Sequence, residues 1–224
     1  MQRAHGPLRS YGRIKSRLIK PRQAAMMGAH LPQLRLPREP FDPLTLMQEA
    51  SEVWLEIGFG AGEHMAGQAL AHPDVLILGA EPFRNGVASA VRHLIAGGQT
   101  NVRLHDSDAR DLVANLPNAC VSRVFILFPD PWPKARHNKR RIMTPELIAD
   151  LARILKVGGR LRFATDWADY ADWTLERMLA QPLFDWPAER AADWCEPPAD
   201  HLTTRYEEKK LGDCAPVFLD FIRI

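Results

Sequence analysis

The chain has 224 residues, of which 46% are hydrophobic and 25% are charged, and its formal net charge is +2. These values are typical of a soluble globular protein and suit one α/β domain with room for a short appendage. No apolar run approaches the ~20 residues that a membrane-spanning helix needs, and the first residues lack the apolar stretch of a secretory signal, so we expect a cytoplasmic protein.

The cysteines and histidines indicate neither disulfides nor a metal site. Cys120, Cys195 and Cys214 lie far apart in the sequence, in neither a disulfide framework nor a CxxC pair. The histidines show no metal-ligand spacing. We expect reduced thiols and no bound metal.

Positive charge is concentrated in two places. Residues 1–40 contain nine basic side chains against one acid, Glu39. The second cluster consists of Lys134, Arg136, Lys139, Arg140 and Arg141. Two such concentrations on a nearly neutral protein predict a polyanionic partner. Because residues 1–40 also contain five prolines and no persistent helical pattern, we predict a basic arm that is flexible alone and orders on its partner; a solvated, disordered tail is the alternative.

From residue 52 onward, short apolar strands alternate with helices. The predicted strands are 53–57, 75–80, 101–105, 124–128, 160–165 and 217–221. The first predicted helix ends near residue 71, and three others cover roughly 85–96, 144–156 and 170–180. Gly97 and Gly98 close the helix at 85–96, and Thr144 caps the one that follows. This alternation predicts βαβ units and a mostly parallel sheet. Residues 183–201 are irregular and receive no assignment.

A glycine-rich turn follows the first strand, at the edge of the sheet where ligands bind in such folds. Gly58, Gly60 and Gly62 allow the backbone to approach a ligand closely. Their GxGxG spacing differs from the GxGxxG of a dinucleotide site. Glu56 stands just before the turn, where a carboxylate repels a pyrophosphate and attracts a cation. S-adenosylmethionine (SAM) carries an ammonium and a sulfonium group, so it suits this turn better than NAD.

Further acids follow the next two strands. Glu81 ends the second strand, where a carboxylate can accept both hydroxyls of a ribose. Asp108 follows the third and can accept from the exocyclic amine of an adenine. A surface acid explains either one alone. Three acids at successive strand ends beside a glycine-rich turn favour a binding site.

The loop after the fourth strand is stiff and carries reactive side chains. Three prolines flank Asp130 and Trp132, and each proline fixes its own φ angle. Such a loop can hold a carboxylate and an indole in place; a structural loop with Trp132 packed on the core is the alternative. The basic run that follows is typical of phosphate contacts, although a solvated charge run is also common.

The segment FPDPWPKARHNKRR at 128–141 resembles the bacterial tRNA (guanine-N7)-methyltransferases. The similarity extends to LEIGFGAG at 55–62, GAEPF at 79–83, the segment from Asp106 to Asp111, ATDW at 164–167 and TRYEEKK at 204–210. It implies a single Rossmann-like class I SAM-dependent methyltransferase domain over 41–224, with a seven-stranded, mostly parallel sheet and helices on both faces. It also implies methyl transfer from SAM to guanine N7 in tRNA, usually at position 46 in the variable loop of the tRNA, which would be the partner.

The resemblance also assigns roles to residues. It places cofactor contacts at the glycine turn and at Glu56, Glu81, Asp108 and Asp130. It places substrate contacts at Lys134, Asp166, Thr204, Arg205, Tyr206 and Glu207. It places RNA contacts at Arg136, His137, Asn138, Lys139, Arg140 and Arg141.

Three positions depart from the family pattern. Pro82 stands where the family often has a non-proline residue, and it should stiffen the loop without removing the carboxylate of Glu81. His201 replaces a common tryptophan, and the segment 212–214 lacks a frequent Gly-Arg pair. A stacking role at His201 and one phosphate contact are therefore not carried over.

Guanine N7 has a lone pair and no proton, so the reaction needs positioning rather than a general base. We predict that Asp130 is the catalytic carboxylate. Together with Asp166, and assisted by Glu207, it would hold the two adjacent donors of the guanine edge and stabilise the developing positive charge. Trp132 would stack on the flipped base.

Other classes of protein compete with this interpretation. A non-catalytic RNA-binding protein could retain the fold, and a nicotinamide-dependent oxidoreductase could share it. A methyltransferase for a small molecule is a third alternative, against which the two basic clusters argue. The sequence indicates no obligate protein partner and leaves monomer and homodimer open.

Overall fold

The computed structural model describes residues 18–224, apart from the side chain of Arg205. Its centre is a seven-stranded sheet in the order β3-β2-β1-β4-β5-β7-β6. The strands are β1 (Glu52–Ile57), β2 (Val75–Ala80), β3 (Val102–His105), β4 (Val121–Leu127), β5 (Leu155–Thr165), β6 (Phe184–Asp185) and β7 (Val217–Arg223). Strands β1 to β5 run parallel, whereas β7 is antiparallel to β5 and to β6. The predicted mostly parallel sheet is confirmed.

Helices connect the strands. They are α1 (Pro21–Leu34), α2 (Glu63–Ala71), α3 (Arg84–Gly97), α4 (Ala109–Asn115), α5 (Pro145–Ile154), α6 (Ala168–Leu179), α7 (Ala192–Cys195) and α8 (Arg205–Glu208). Thr144 caps α5 by accepting from the N–H of Leu147, and α3 ends at Gly98 in the left-handed region, both as predicted. None of the helices over residues 18–224 combines the length and the apolar character needed to cross a membrane.

Two hydrophobic cores lie on the two faces of the sheet. Successive side chains of β1 alternate between them: Leu55 packs with α4, α5 and α6, and Trp54 packs with α1, α2 and α3. The central strands are therefore buried on both faces, which explains their nearly continuous apolar sequences. Helices on both faces are confirmed.

The N-terminal arm differs from its prediction. Residues 21–34 form α1, whose Leu31 and Leu34 are buried against α3. The following residue Arg35 bridges to Leu104 of β3 and forms an ion pair with Asp106 at 2.7 Å. The expectation of an arm without a helix is wrong here, because Pro32 and the few buried positions of α1 obscured the helical pattern. The predicted flexibility of residues 1–17 lies outside the described residues.

Four other elements were not predicted, one of which is the short helix α8. Helix α4 follows Asp108 directly, and residues 183–201 contribute the short strand β6 and helix α7. Strand β5 begins at Leu155, immediately after α5, and therefore includes Gly158 and Gly159, which were expected to separate a helix from a strand.

Asn101 ties the edge of the sheet to α2. Its buried side-chain amide lies 3.1, 2.9 and 2.9 Å from the carbonyl oxygens of Ala69, His72 and Val75. These carbonyls end α2 and begin β2, so the two N–H donors of one amide group, shared among three carbonyl oxygens, hold the end of the helix to the start of the strand.

We expect Asn101→Asp to lower the free energy of unfolding by about 3 kcal/mol or more, because a carboxylate would face three carbonyl oxygens in a buried place. Urea unfolding followed by circular dichroism measures the change. Asn118→Asp is the matched control: Asn118 is exposed and accepts from Arg153 through its side-chain oxygen, which aspartate retains. Equal midpoints for the two variants would contradict the role of Asn101.

Candidate active site

The glycine turn after β1 has the conformation that its sequence requires. Gly58, Gly60 and Gly62 have φ angles of 77°, 54° and 83°, in the left-handed region that favours glycine. A Cβ atom on Gly86 of α3 would lie 2.3 Å from the carbonyl oxygen of Gly60. Gly86 therefore lets α3 pack against the turn. Sequence analysis missed this residue, although a glycine inside a predicted helix was a usable signal.

Glu81 is held by backbone donors on both oxygens. The N–H of Gly60 donates to Oε2 at 2.9 Å, and the N–H of Phe83 donates to Oε1 at 2.8 Å. Burial raises the pKa of Glu81 to about 7, opposed by these two hydrogen bonds and reinforced by the negative charges of Asp130 and Glu56. Each oxygen keeps a second lone pair, so the carboxylate can still accept hydroxyl groups.

Asp108 caps α4 with one oxygen and leaves the other open. Its Oδ1 accepts from the backbone N–H and the Nε of Arg110, both at 3.0 Å. Its Oδ2 is buried and has no hydrogen-bond partner within residues 18–224. Buried polar atoms without a partner are rare in proteins. Oδ2 of Asp108 is therefore suited to accept from a donor on a ligand.

Glu56 is buried at the end of β1 and is 3% exposed. Its Oε2 lies 2.7 Å from Nδ1 of His64, a residue of α2 that sequence analysis did not single out. Glu56, Glu81 and Asp108 follow from the ends of β1, β2 and β3, which are neighbours in the sheet, and Glu81 contacts the glycine turn through the N–H of Gly60.

The loop after β4 is strained and points its carboxylate outward. Phe128 and Trp132 have φ angles of 50° and 46°, which are uncommon for non-glycine residues. The N–H of Phe128 donates to the carbonyl of Ala164 at 2.7 Å and pins the start of the loop to β5. Asp130 is exposed. Burial is the main cause of the raised pKa values of Glu81 and Tyr206, and the negative charge of Asp130 acts in the same direction on both. Asp130 therefore lies close enough to Glu81 and to Tyr206 for its charge to act on both.

Trp132 packs against the basic segment. The guanidinium carbon of Arg140 lies 4.8 Å from the centre of the indole, and His137 approaches it edge-on at 6.0 Å. Trp132 belongs to neither hydrophobic core. The alternative that it packs on the core is therefore not supported.

The basic segment forms a short 3-10 helix over Ala135–Arg140. Lys134, Arg136 and Lys139 are exposed, and His137, Asn138 and Arg140 are half-buried. The exposed cations extend outward from the loop that carries Asp130. A group of exposed cations is suited to contact a polyanion.

Arg141 is an exception to this pattern. It is 2% exposed, donates from Nε to the carbonyl of Pro131 at 2.9 Å and is ion-paired with Asp169. Its guanidinium also stacks on Tyr170 and Trp173, at 4.7 and 5.4 Å from the ring centres. The prediction that Arg141 contacts RNA is wrong, because its charged group is buried and occupied. It fastens the loop to α6.

Asp166 faces the loop from the end of β5. It is 4% exposed, and its Oδ1 is buried with no hydrogen-bond partner in the described chain. Burial raises the pKa of its carboxyl group, and the charges of Asp213 and Glu207 act in the same direction. The backbone N–H groups of Asp213 and Cys214 donate to its carbonyl, so the segment 212–214 clamps this residue.

Thr204 and Glu207 cap α8 reciprocally. The N–H of Thr204 donates to Oε1 of Glu207 at 2.8 Å, and the N–H of Glu207 lies 3.3 Å from Oγ1 of Thr204. His201 Nε2 lies 2.7 Å from the other oxygen of Glu207. Burial would raise the pKa of Glu207, but these contacts hold it below its ordinary value. Both oxygens of Glu207 are thus engaged within the protein, which accounts for the histidine at position 201.

Tyr206 connects this segment to the loop, since its ring lies 5.8 Å from that of Phe128. The predicted role of Arg205 concerns a side chain outside the described part. Cys120, Cys195 and Cys214 are free thiols. No group of three or more His, Cys, Asp or Glu side chains that could hold a metal ion occurs among residues 18–224.

Comparisons with known proteins agree with this geometry. A family model described as a putative methyltransferase matches residues 50–218. The tRNA (guanine-N(7)-)-methyltransferase of Caulobacter vibrioides is 65% identical over 222 residues, which cover 99% of this chain and 98% of the relative. The protein of the same name from Hyphomonas neptunium is 45% identical, with 96% and 99% covered.

A solved antibiotic-related methyltransferase has a TM-score of 0.57 at 15% sequence identity and covers 84% of this chain and 95% of its own, which shows the class I methyltransferase fold. The full-length similarity to the bacterial relatives is more specific. The chain belongs to the tRNA (guanine-N(7)-)-methyltransferase family.

Proposed function

We propose that this protein transfers the methyl group of SAM to N7 of a guanine in tRNA, at position 46 in the variable loop, and produces 7-methylguanosine in the cytoplasm. The observation that carries the proposal is that carboxylates at the ends of β1, β2 and β3 share one edge of the sheet with the carboxylate of the loop after β4. Glu56, Glu81 and Asp108 stand at the ends of three neighbouring strands beside the glycine turn that follows β1, and the charge of Asp130 acts on both Glu81 and Tyr206.

The residues around the turn fit SAM. Glu81 would accept the two ribose hydroxyls, Oδ2 of Asp108 would accept from the adenine amine, and Glu56 would attract the ammonium group. Gly58, Gly60 and Gly62 let the backbone approach the ligand. SAM, when bound, supplies a methyl group on a positively charged sulfur. The burial of these acids strengthens their attraction for that positive charge.

The loop and its neighbours fit a guanine. Asp130 and Oδ1 of Asp166 would accept from the N1–H and the exocyclic amine, a pair of donors that adenine lacks. N7 carries no proton, so these carboxylates orient the base and stabilise the positive charge that develops on it. Trp132 and Tyr206 offer aromatic faces near the loop. Thr204, Arg205 and Glu207 would shape the segment that closes on the base.

The exposed cations fit the tRNA backbone. Lys134, Arg136 and Lys139 would contact phosphates, with His137, Asn138 and Arg140 at their side. A protein that only bound RNA would have no need for the open acceptor on Asp108. A nicotinamide enzyme would place a pyrophosphate against Glu56. Methyl transfer accounts for both features.

The first experiment is methyl transfer from labelled SAM to unmodified tRNA, with the product nucleoside identified and its position mapped.

We expect Asp130→Asn to lower kcat by about 100-fold or more while the Kd for SAM changes little, because the amide cannot stabilise the positive charge on the base. Asp185→Asn, an exposed residue of β6, is the control. Near-normal turnover of the Asp130 variant would remove its catalytic role, and no 7-methylguanosine from the parent would overturn the function.

The basic segment yields a second prediction. Lys134→Ala and Arg136→Ala should each raise the KM for tRNA and reduce the slope of log affinity against log salt by about 1, the effect of one lost phosphate contact. Lys156→Ala removes an equally exposed charge from β5 and should leave the slope unchanged. A parental slope in both test variants would contradict contact with phosphates.

The raised pKa of Glu81, about 7, yields a third. Below that pH the free protein carries a proton on Glu81, and the charged carboxylate becomes available only as the pH rises. The affinity for SAM should therefore increase by about tenfold between pH 6 and pH 8. Glu81→Gln should bind more weakly at pH 8 and show a flatter profile. Titration calorimetry measures both, and identical profiles would contradict the assignment.

A further inference from the structure

A chain of buried hydrogen bonds runs from Glu56 into α2. The side chains of Glu56 and His64 are 5% and 2% exposed, and Oε2 of Glu56 lies 2.7 Å from Nδ1 of His64. Nε2 of His64 lies 3.2 Å from Nε2 of Gln68, one turn further along α2. The amide nitrogen of Gln68 also donates to the carbonyl of Asp200 at 2.8 Å. The chain thus joins the end of β1 to the segment that leads into α8.

The contacts decide which ring nitrogen of His64 carries the hydrogen. The carbonyl of Asp200 can only accept, so it fixes the amide orientation of Gln68 with its nitrogen toward both partners. The second N–H of that amide then points to Nε2 of His64, which must accept. Nδ1 therefore carries the hydrogen and donates it to Glu56. The described residues offer no hydrogen bond to Oε1 of Glu56, which stays available for a ligand.

The far end of the chain is anchored in the sheet. The carboxylate of Asp200 accepts from Arg162 at 2.7 Å and is also paired with Arg123. Arg162 of β5 in turn forms two hydrogen bonds to Asp220 of β7, at 2.7 and 2.8 Å. Because Arg123 belongs to β4 and Arg162 to β5, the side chain of Asp200 is held by two adjacent strands. Its carbonyl oxygen is therefore a fixed acceptor for Gln68, which in turn aligns His64.

We propose that His64 is a positioning residue for SAM: its Nδ1–H holds Oε2 of Glu56, so that Oε1 faces the ammonium group of the cofactor, and Gln68 and Asp200 hold the ring in this orientation. The proposal rests on the proposed function in one respect, because it takes SAM as the ligand at Glu56. A purely structural His64 would fill space between Phe125 and α2 without directing the carboxylate.

Two substitutions of His64 separate positioning from packing. Asparagine places an N–H donor near the position of Nδ1, whereas glutamine places its amide near the position of Nε2. We expect His64→Asn to keep the Kd for SAM within about threefold of the parent and His64→Gln to weaken it by about tenfold or more, since a hydrogen bond to a charged group is lost. Calorimetry measures binding without tRNA, and thermal unfolding checks that both variants are folded. Equal affinities for the two would overturn the proposal.

A second measurement does not depend on SAM. Nitrogen-15 NMR of the parent protein should show His64 as the neutral tautomer with its hydrogen on Nδ1, and finding the hydrogen on Nε2 would overturn the proposal. The proposed function fails separately. If SAM binds with the expected order of affinities but no tRNA is methylated, the substrate assignment is wrong and the positioning role of His64 stands.

Discussion

Like charges crowd one edge of the sheet, and the arrangement of the site follows from holding them there. The parallel order of β1 to β4 brings Glu56, Glu81, Asp108 and Asp130 to neighbouring strand ends, three of them largely buried. Burial and mutual repulsion both oppose ionisation, as the raised pKa of Glu81 shows. Each buried acid therefore has its own donor: backbone N–H groups for Glu81, His64 for Glu56 and Arg110 for Asp108. A positively charged ligand would offset the remaining repulsion between these carboxylates.

The basic residues at 134–141 carry positive charge next to these acids, and the exposed and buried members of this segment have different roles. Exposed cations on the 3-10 helix face solvent, where they suit a polyanion. Arg141, adjacent in sequence, is buried and links the loop to Asp169 on α6. A run of similar basic residues is thus divided by burial into a contact surface and an internal brace. The brace accounts for how a loop with two strained residues keeps Asp130 in place.

Backbone contacts between distant residues, together with local side-chain contacts of Glu207, fix the segments around Asp166, Phe128 and Tyr206. Asp166 is clamped by the segment 212–214, Phe128 by Ala164, and Glu207 by Thr204 and His201. His201, which replaces a common tryptophan, contributes a hydrogen bond where an indole would offer a stacking face. The residues proposed to bind the guanine therefore depend in part on contacts between residues far apart in the sequence, and the hydrogen bonds through Gln68 likewise join Glu56 and His64 to Asp200.

The sequence by itself determined six of the seven strands, the helices α2, α3, α5 and α6, the glycine turn and the three acids at the strand ends. These features follow from local rules: apolar periodicity, glycine conformation and the common edge of parallel strands. It could not separate Arg141 from the exposed cations, detect α1 behind its prolines, or identify His64, Gln68 and Gly86. Those roles depend on burial and on partners distant in sequence, such as Asp200 for Gln68. Only the tertiary structure decides which side chains lose their water and which neighbours replace it.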